Sequence, residues 1–438
     1  MNSILKSKIS FLFVIIISIT PAVFAQNPVI KIYPEIKKQE IVSIGGNYCQ
    51  ANYTDHAWDK VGEVTLEEFK PSHVRVALPL QFRELDYGQY KGEKILDQPV
   101  VVSLLETMKR MKEEYGVSNF TVSVWRVPDE LVQNPEARNK RSIKHDRYDE
   151  VIDMIEAFLL EAQEEYGVET DYFSFNESNG GYNTLFSPEE TIRFFKMAGE
   201  RFRNSGLKTK FLWGDTFKTV GTVEFSTMVA GDSTIWKYLG PLSFHSWWSE
   251  NIPNVEFERI AGLAKAFGKP VWCSELGFDA MAHRTKGMNK TWDYALRFAK
   301  IKHRMTKYAE MAVSMYWTWQ NNYSIMSADT ETKYPSYYVT KHYTDFLNAG
   351  TQIIHSLSSD PEILPICGYT KKNELVMQII NLKKEPVEIT LDDFAGSNAK
   401  IVTTTKNELW SERTISPKIW EGNAKIKLEA ESVNTILF

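Results

Sequence analysis

Residues 171–178 read Asp171-Tyr172-Phe173-Ser174-Phe175-Asn176-Glu177-Ser178. The aromatic-rich run fits a short buried strand, and it stops at two strongly polar residues. Before it lies an amphipathic helical pattern, Arg147–Tyr166, followed by Gly167, the residue suited to a left-handed helix cap. After it comes Ser187-Pro188-Glu189-Glu190. Here Ser is an N-cap, Pro takes the first helical position, and acids face the positive end of the helix dipole. That start opens a helix over Pro188–Asn204. The unit is therefore helix, glycine, strand with a polar end, helix.

Working outward, seven more strands of this kind are expected: Ile41–Asn47, Ser72–Leu78, Asn119–Trp125, Thr209–Gly214, Pro241–Ser246, Pro270–Glu275 and Met311–Trp317. Helical patterns such as Val100–Tyr115, Val255–Phe267 and Thr291–Tyr308 separate them. Gly116 and Gly268 again sit just past helix ends. Eight strand-then-helix units in series predict an α/β fold, a (β/α)₈ TIM barrel over residues 38–349. An open doubly wound sheet lacks support, because no G-x-G-x-x-G follows a strand.

Beyond Gly350 the helical period stops. Short alternating runs at Glu374–Ile380, Val387–Leu391, Lys400–Thr404, Ala424–Leu428 and Val433–Phe438 predict an all-β sandwich over 350–438. Pro28–Ile36 has the same texture, so residues 26–37 are expected to lend that module a strand.

The 438 residues are 43% hydrophobic and 24% charged, a composition that supports a large core. A net charge of −5 with no basic stripe argues against a nucleic-acid partner. Lys6 and Lys8, the apolar run Phe11–Ile19 and Ala22-Val-Phe-Ala25 form an export-signal pattern. Residues 1–25 are expected to be removed, with a secreted or periplasmic product and no stable membrane anchor. The three cysteines, Cys49, Cys273 and Cys367, lack metal-site spacing and are expected to be buried small hydrophobes, with one disulfide left open. No metal and no organic cofactor are expected.

In such a barrel the site forms at the C-terminal ends of the strands. The fourth strand ends at Asn176-Glu177 and the seventh at Glu275. Two carboxyls facing each other across one rim are what glycoside cleavage needs: one attacks the anomeric carbon, and the other serves as acid and then base. The second strand carries Arg75 between two valines, where an arginine needs a partner; Glu275 is the expected one. His245, near the end of the sixth strand, is expected to hydrogen-bond the same carboxylate. Trp125, Trp247, Trp248, Trp317 and Trp319 crowd predicted rim positions, and aromatic faces suit sugar rings.

These residues resemble clan A of the glycoside hydrolases, which is similar in having Asn-Glu ending strand four, Glu ending strand seven, Arg on strand two and an aromatic ending strand eight. The resemblance implies Glu177 as acid/base and Glu275 as nucleophile. It also implies Asn176 at the sugar's 2-hydroxyl and Trp317 beneath the sugar. Within the clan the chain most resembles family 30. Ile44-Gly45-Gly46 is similar to that family's Gly-Gly opening, Tyr337–Gly350 to its last barrel helix, and Ser432–Leu437 to its closing strand. Ser178 departs from the family's usual proline after the acid/base.

The expected activity is retaining hydrolysis of a β-linked oligo- or polysaccharide. Arg75 would keep Glu275 ionised, and the charge of Glu275 would raise Glu177. A non-catalytic sugar-binding protein on the same barrel is the alternative; it would tolerate loss of either glutamate. The loop Asn321–Ser336 holds Lys333 as its one cation, which leans toward neutral sugars.

Overall fold

The computed structural model describes residues 27–49, 60–80, 95–281, 284–319, 323–392, 394, 398–420 and 422–438. The expected export signal, 1–25, lies outside them. The described chain opens with β1 (Val29–Glu40). Eight parallel strands then close into a barrel in chain order: β2 (Ser43–Asn47), β3 (His73–Ala77), β4 (Asn119–Val124), β5 (Tyr172–Phe175), β6 (Lys210–Thr216), β7 (Leu239–His245), β8 (Val271–Leu276) and β9 (Met311–Tyr316). Eight helices accompany them: α1 (Lys60–Phe69), α2 (Pro99–Tyr115), α3 (Tyr148–Glu164), α4 (Pro188–Asn204), α5 (Thr222–Val229), α6 (Asn254–Ala266), α7 (Trp292–Tyr308) and α8 (Pro335–Phe346). The expected (β/α)₈ barrel is therefore present.

Local signals act as the chemistry requires. Ser187 and Glu190 form a reciprocal capping box at the start of α4. Gly116 caps α2 at φ 72. In β2, a Cβ at Gly45 would sit 2.0 Å from the His73 carbonyl oxygen, and one at Gly46 would sit 1.8 Å from Trp319 Nε1. The Gly-Gly pair is thus a close-approach requirement of the barrel wall.

The fifth predicted barrel strand, Thr209–Gly214, differs from the structure. β6 runs on to Thr216, and its pairing with β7 shifts between Gly214 and Thr216. Gly214, at φ 105, is a bulge glycine rather than a strand end, and Asp215 follows it at φ 44. A matching shift places Ser274 out of register between Cys273 and Glu275, on the other side of β7.

The remaining strands are β10 (Gln352–Ser358), β11 (Ile363–Tyr369), β12 (Leu375–Asn381), β13 (Val387–Leu391), β14 (Ala399–Thr404), β15 (Ser411–Ile415), β16 (Lys418–Trp420), β17 (Asn423–Leu428) and β18 (Ser432–Leu437). With β1 they form a ten-stranded sheet ordered β15-β14-β18-β12-β11-β10-β1-β13-β17-β16. It is mostly antiparallel, with β1 pairing parallel to β13, and it encloses its own apolar core around Ile379, Ile389, Ile401 and Ile436. A separate apolar layer, including Ile41, Tyr343, Leu347 and Ile353, seals it to the barrel. His342 on α8 bridges the two by hydrogen bonds to Thr435 Oγ1 (2.8 Å) and Thr404 Oγ1 (2.9 Å). Cys49, Cys273 and Cys367 are buried free thiols. Among the described residues no helix is long and apolar enough to cross a membrane.

Candidate active site

Arg75 organises the floor of the C-terminal rim. It is fully buried on β3, and each of its five N–H groups has a partner. Nε donates to Ser123 Oγ (2.8 Å). Nη1 donates to Glu275 Oε1 (2.7 Å) and Asn47 Oδ1 (3.0 Å). Nη2 donates to Asn176 Oδ1 (2.7 Å) and Asp215 Oδ2 (3.2 Å). Its guanidinium also lies 4.8 Å from the centre of the Trp125 ring. Strands one, two, three, four, five and seven of the barrel are thereby tied to one cation.

His245, buried at the end of β7, is a second hub. Its Nδ1–H lies 3.0 Å from Glu177 Oε1 and 3.2 Å from Glu275 Oε2. Its Nε2 faces Asp215 Oδ1 at 3.4 Å, an ion contact without hydrogen-bond geometry. Burial alone would make this imidazole neutral, but Glu275, Asp215 and Glu177 outweigh it and raise its pKa well above the ordinary histidine value. The surrounding carboxylates thus favour the imidazolium form of His245.

The two glutamates differ in setting. Glu275, 4% exposed at its side chain, accepts from Arg75 and, at Oε2, from Trp247 Nε1 (3.1 Å). Burial would raise its pKa, yet the charges and hydrogen bonds of His245 and Arg75 prevail and hold it below the ordinary carboxylate range. Glu177, 13% exposed, is raised. Burial is the main cause; Glu275 adds to it, while the hydrogen bond and charge of His245 oppose it. Desolvation, rather than the charge of Glu275 expected from the sequence, is the larger cause. Nearest ligand-type atoms of Glu177, His245 and Glu275 all lie within 4.8 Å of one another.

Charge balance gives the same answer. Arg75 and His245 supply two positive charges, and Asp215 and Glu275 supply two negative ones. The cluster is neutral only with Glu177 protonated. In a buried site an uncompensated charge is costly, so the proton belongs on Glu177. Glu177, His245 and Glu275 also have the donor types of a cation site. An imidazolium offers no lone pair to a metal, and Arg75 and Trp247 already donate to both Glu275 oxygens.

Trp317 and Trp125 are half-buried, with ring centres 6.0 Å apart. Asn176 is held through its Oδ1 by Arg75, and its amide nitrogen makes no hydrogen bond within the described residues. Trp247 differs from expectation. Its ring is 4% exposed and packed against Gly277, so it holds the Glu275 carboxylate rather than offering a face to a sugar. The exposed indole is its neighbour Trp248. Sequence reasoning missed Asn47, Asp215, Ser123 and Ser274. Asp215 was hidden by reading Gly214 as a strand end; a polar residue following a bulge glycine was the available signal.

The described chain joins a closed (β/α)₈ barrel, with Glu177 and Glu275 meeting at its C-terminal rim, to a ten-stranded β-module. No family model and no curated protein matches the chain. Solved structures do. A glycoside hydrolase family 30 subfamily 8 xylanase from Clostridium acetobutylicum is similar at TM-score 0.74 and 16% identity, covering 94% of this chain and 99% of that one. A family 30 endoxylanase from Clostridium papyrosolvens gives TM-score 0.69 and 17% identity, covering 94% and 99%. An endo-β1,6-glucanase gives 0.64 and 12%, covering 93% and 94%. The chain thus has the barrel-and-sandwich fold of family 30; at these identities the likeness is one of fold.

Proposed function

We propose that this protein is an exported, retaining β-glycoside hydrolase with Glu275 as nucleophile and Glu177 as acid/base. The observation that carries the reading is the approach of the two carboxyls to within 4.8 Å, with the pKa of Glu275 held down and that of Glu177 pushed up. Retaining enzymes place these groups about 5–5.5 Å apart, whereas inverting ones need about 6.5–9.5 Å for an intervening water.

Glu275 attacks the anomeric carbon while Glu177 gives its proton to the leaving oxygen. The bond to the leaving group breaks, and a covalent glycosyl–Glu275 ester forms. Esterification removes one negative charge from the buried cluster. Arg75 and His245 then leave a net positive charge that favours the ionised form of Glu177. The carboxylate takes a proton from water, the hydroxide oxygen attacks the anomeric carbon, and Glu275 departs as carboxylate. Arg75 thus serves both halves of the cycle without moving a proton.

Trp317 and Trp125 supply an apolar floor for the sugar under attack, and the free Asn176 amide lies beside Glu177 for its 2-hydroxyl. Lys333, the cation in the loop after the eighth strand, is engaged by Glu68 Oε1 at 2.5 Å. That supports a neutral β-linked oligo- or polysaccharide. The test is product analysis on a panel of β-glucans and xylans, with proton NMR of the first-formed anomer. Release of the β-anomer supports the reading. Absence of release by the wild-type protein, or release of the α-anomer, refutes it.

A further inference from the structure

Three large apolar side chains stand exposed on the loops after the fourth, fifth and sixth barrel strands: Tyr182 (45%), Val220 (43%) and Trp248 (51%). Apolar side chains exposed on these loops stand on the rim where a barrel's site forms. Trp248 is the largest, and its backbone is in the left-handed region at φ 55, an unfavourable place for a bulky residue. Such a conformation persists where its surroundings fix it, and functional sites are where it concentrates. Here the Trp248 N–H donates to the Phe278 carbonyl (3.2 Å), and on either side stand Trp247, bound to the nucleophile, and Ser249, bound to Thr219 Oγ1 (2.6 Å). The indole is presented to solvent by a rigid frame.

Phe217 faces it edge-on, with ring centres 6.5 Å apart. Phe217 is in turn fastened to the loop that follows Glu177. Its N–H donates to Asn179 Oδ1 (3.0 Å), and its ring lies so close to Gly180 that a Cβ there would approach it to 2.5 Å. The pair therefore spans the two loops next to the acid. In barrel order these loops follow strands five and six, between the strands of Glu177 and Glu275, whereas Trp125 and Trp317 follow strands three and eight, on the other side.

We propose that Trp248, with Phe217, is a stacking platform for the leaving-group sugar, so the preferred substrate extends at least one sugar unit past the cleaved bond. The inference rests on the hydrolase reading above. A general acid must face the leaving oxygen, so the departing unit lies on the Glu177 side, where these two rings stand. Flat sugar faces pack on aromatic rings, and the rigid indole offers such a face at little entropic cost.

The test compares two substrates, measured as kcat/KM. One set is xylotriose and β-1,6-linked glucotriose. The other is the β-fluorides of the matching disaccharides, whose leaving group carries no ring. Trp248→Ala is expected to lower the oligosaccharide-to-fluoride ratio by about tenfold, with Trp248→Tyr restoring most of it. Trp236→Ala is the control: an indole equally exposed (46%) but located before β7, at the opposite end of the barrel, and expected to leave the ratio as in the wild type. An unchanged ratio in Trp248→Ala, or an equal fall in Trp236→Ala, overturns the platform. A wild-type protein that leaves both substrates intact overturns the hydrolase reading and the platform with it.

Discussion

Ser274 Oγ donates to Asp215 Oδ1 at 2.5 Å, joining the two out-of-register residues on either side of β7. The contact explains why both neighbours of β7 are irregular. Regular pairing would turn a strand residue's side chain to a fixed face, and an extra residue re-aims it. Asp215 is thereby delivered beneath both Arg75 and His245.

Asp215→Asn keeps the shape and removes one negative charge from the cluster. The remaining excess positive charge disfavours protonated Glu177, so the alkaline limb of the kcat/KM profile is expected to move to lower pH. The value of kcat/KM at the optimum is expected to fall by about tenfold to a hundredfold, as for loss of hydrogen bonds to charged groups. A full pH–rate profile checks both.

Arg75→Met leaves Asp215 and Glu275 buried without the guanidinium that pairs with both. Breaking a buried pair in this way costs about 3–5 kcal/mol, to be read by denaturant titration. In any folded fraction the Glu275 pKa rises. Its folded value lies below the ordinary one, so its contribution to stability is present above the unfolded pKa and is lost as pH falls through the folded one. The variant is expected to lose that part of the acid dependence.

Gly46→Ala drives a methyl into Trp319, whose Nε1 would lie 1.8 Å from it. Overpacking of this kind costs about 1–3 kcal/mol. A lowered Tm in thermal melts, without a change in the pH optimum, is the expected result.

Lys302 on α7 is buried, and its ammonium lies 4.1 Å from the centre of the Tyr343 ring. Burial lowers its pKa to about 7. Between about 7 and the ordinary lysine value the unfolded chain holds this proton and the folded chain does not, so stability rises with pH there. Lys302→Met is expected to be stabilising near neutrality and to flatten that slope, at most about 1.4 kcal/mol per pH unit. Chemical denaturation at a series of pH values measures it.

The barrel was legible because strands alternate with amphipathic helices, and Gly116, Gly167 and Gly268 mark three helix ends shortly before a strand. The glutamate pair was legible because Glu177 and Glu275 close their strands. Asp215 was not, because a glycine inside a bulge and a glycine ending a strand look alike in one sequence. Of Trp247 and Trp248, both expected to offer faces to a sugar, only Trp248 is exposed. Adjacent residues face opposite ways, and one residue of register decides which is buried. The ionisation of His245 was also beyond reach, since it depends on three carboxyls brought together from β5, β6 and β8.

The most direct test of the account is to inactivate the protein with an activated 2-deoxy-2-fluoro β-glycoside of the sugar it cleaves and to sequence the labelled peptide by mass spectrometry. The fluorine slows turnover and lets the ester accumulate. The account predicts one sugar on Glu275, with no label in Glu275→Gln. A label on another residue, or hydrolysis of the natural substrate by Glu275→Gln at the wild-type rate, would contradict it.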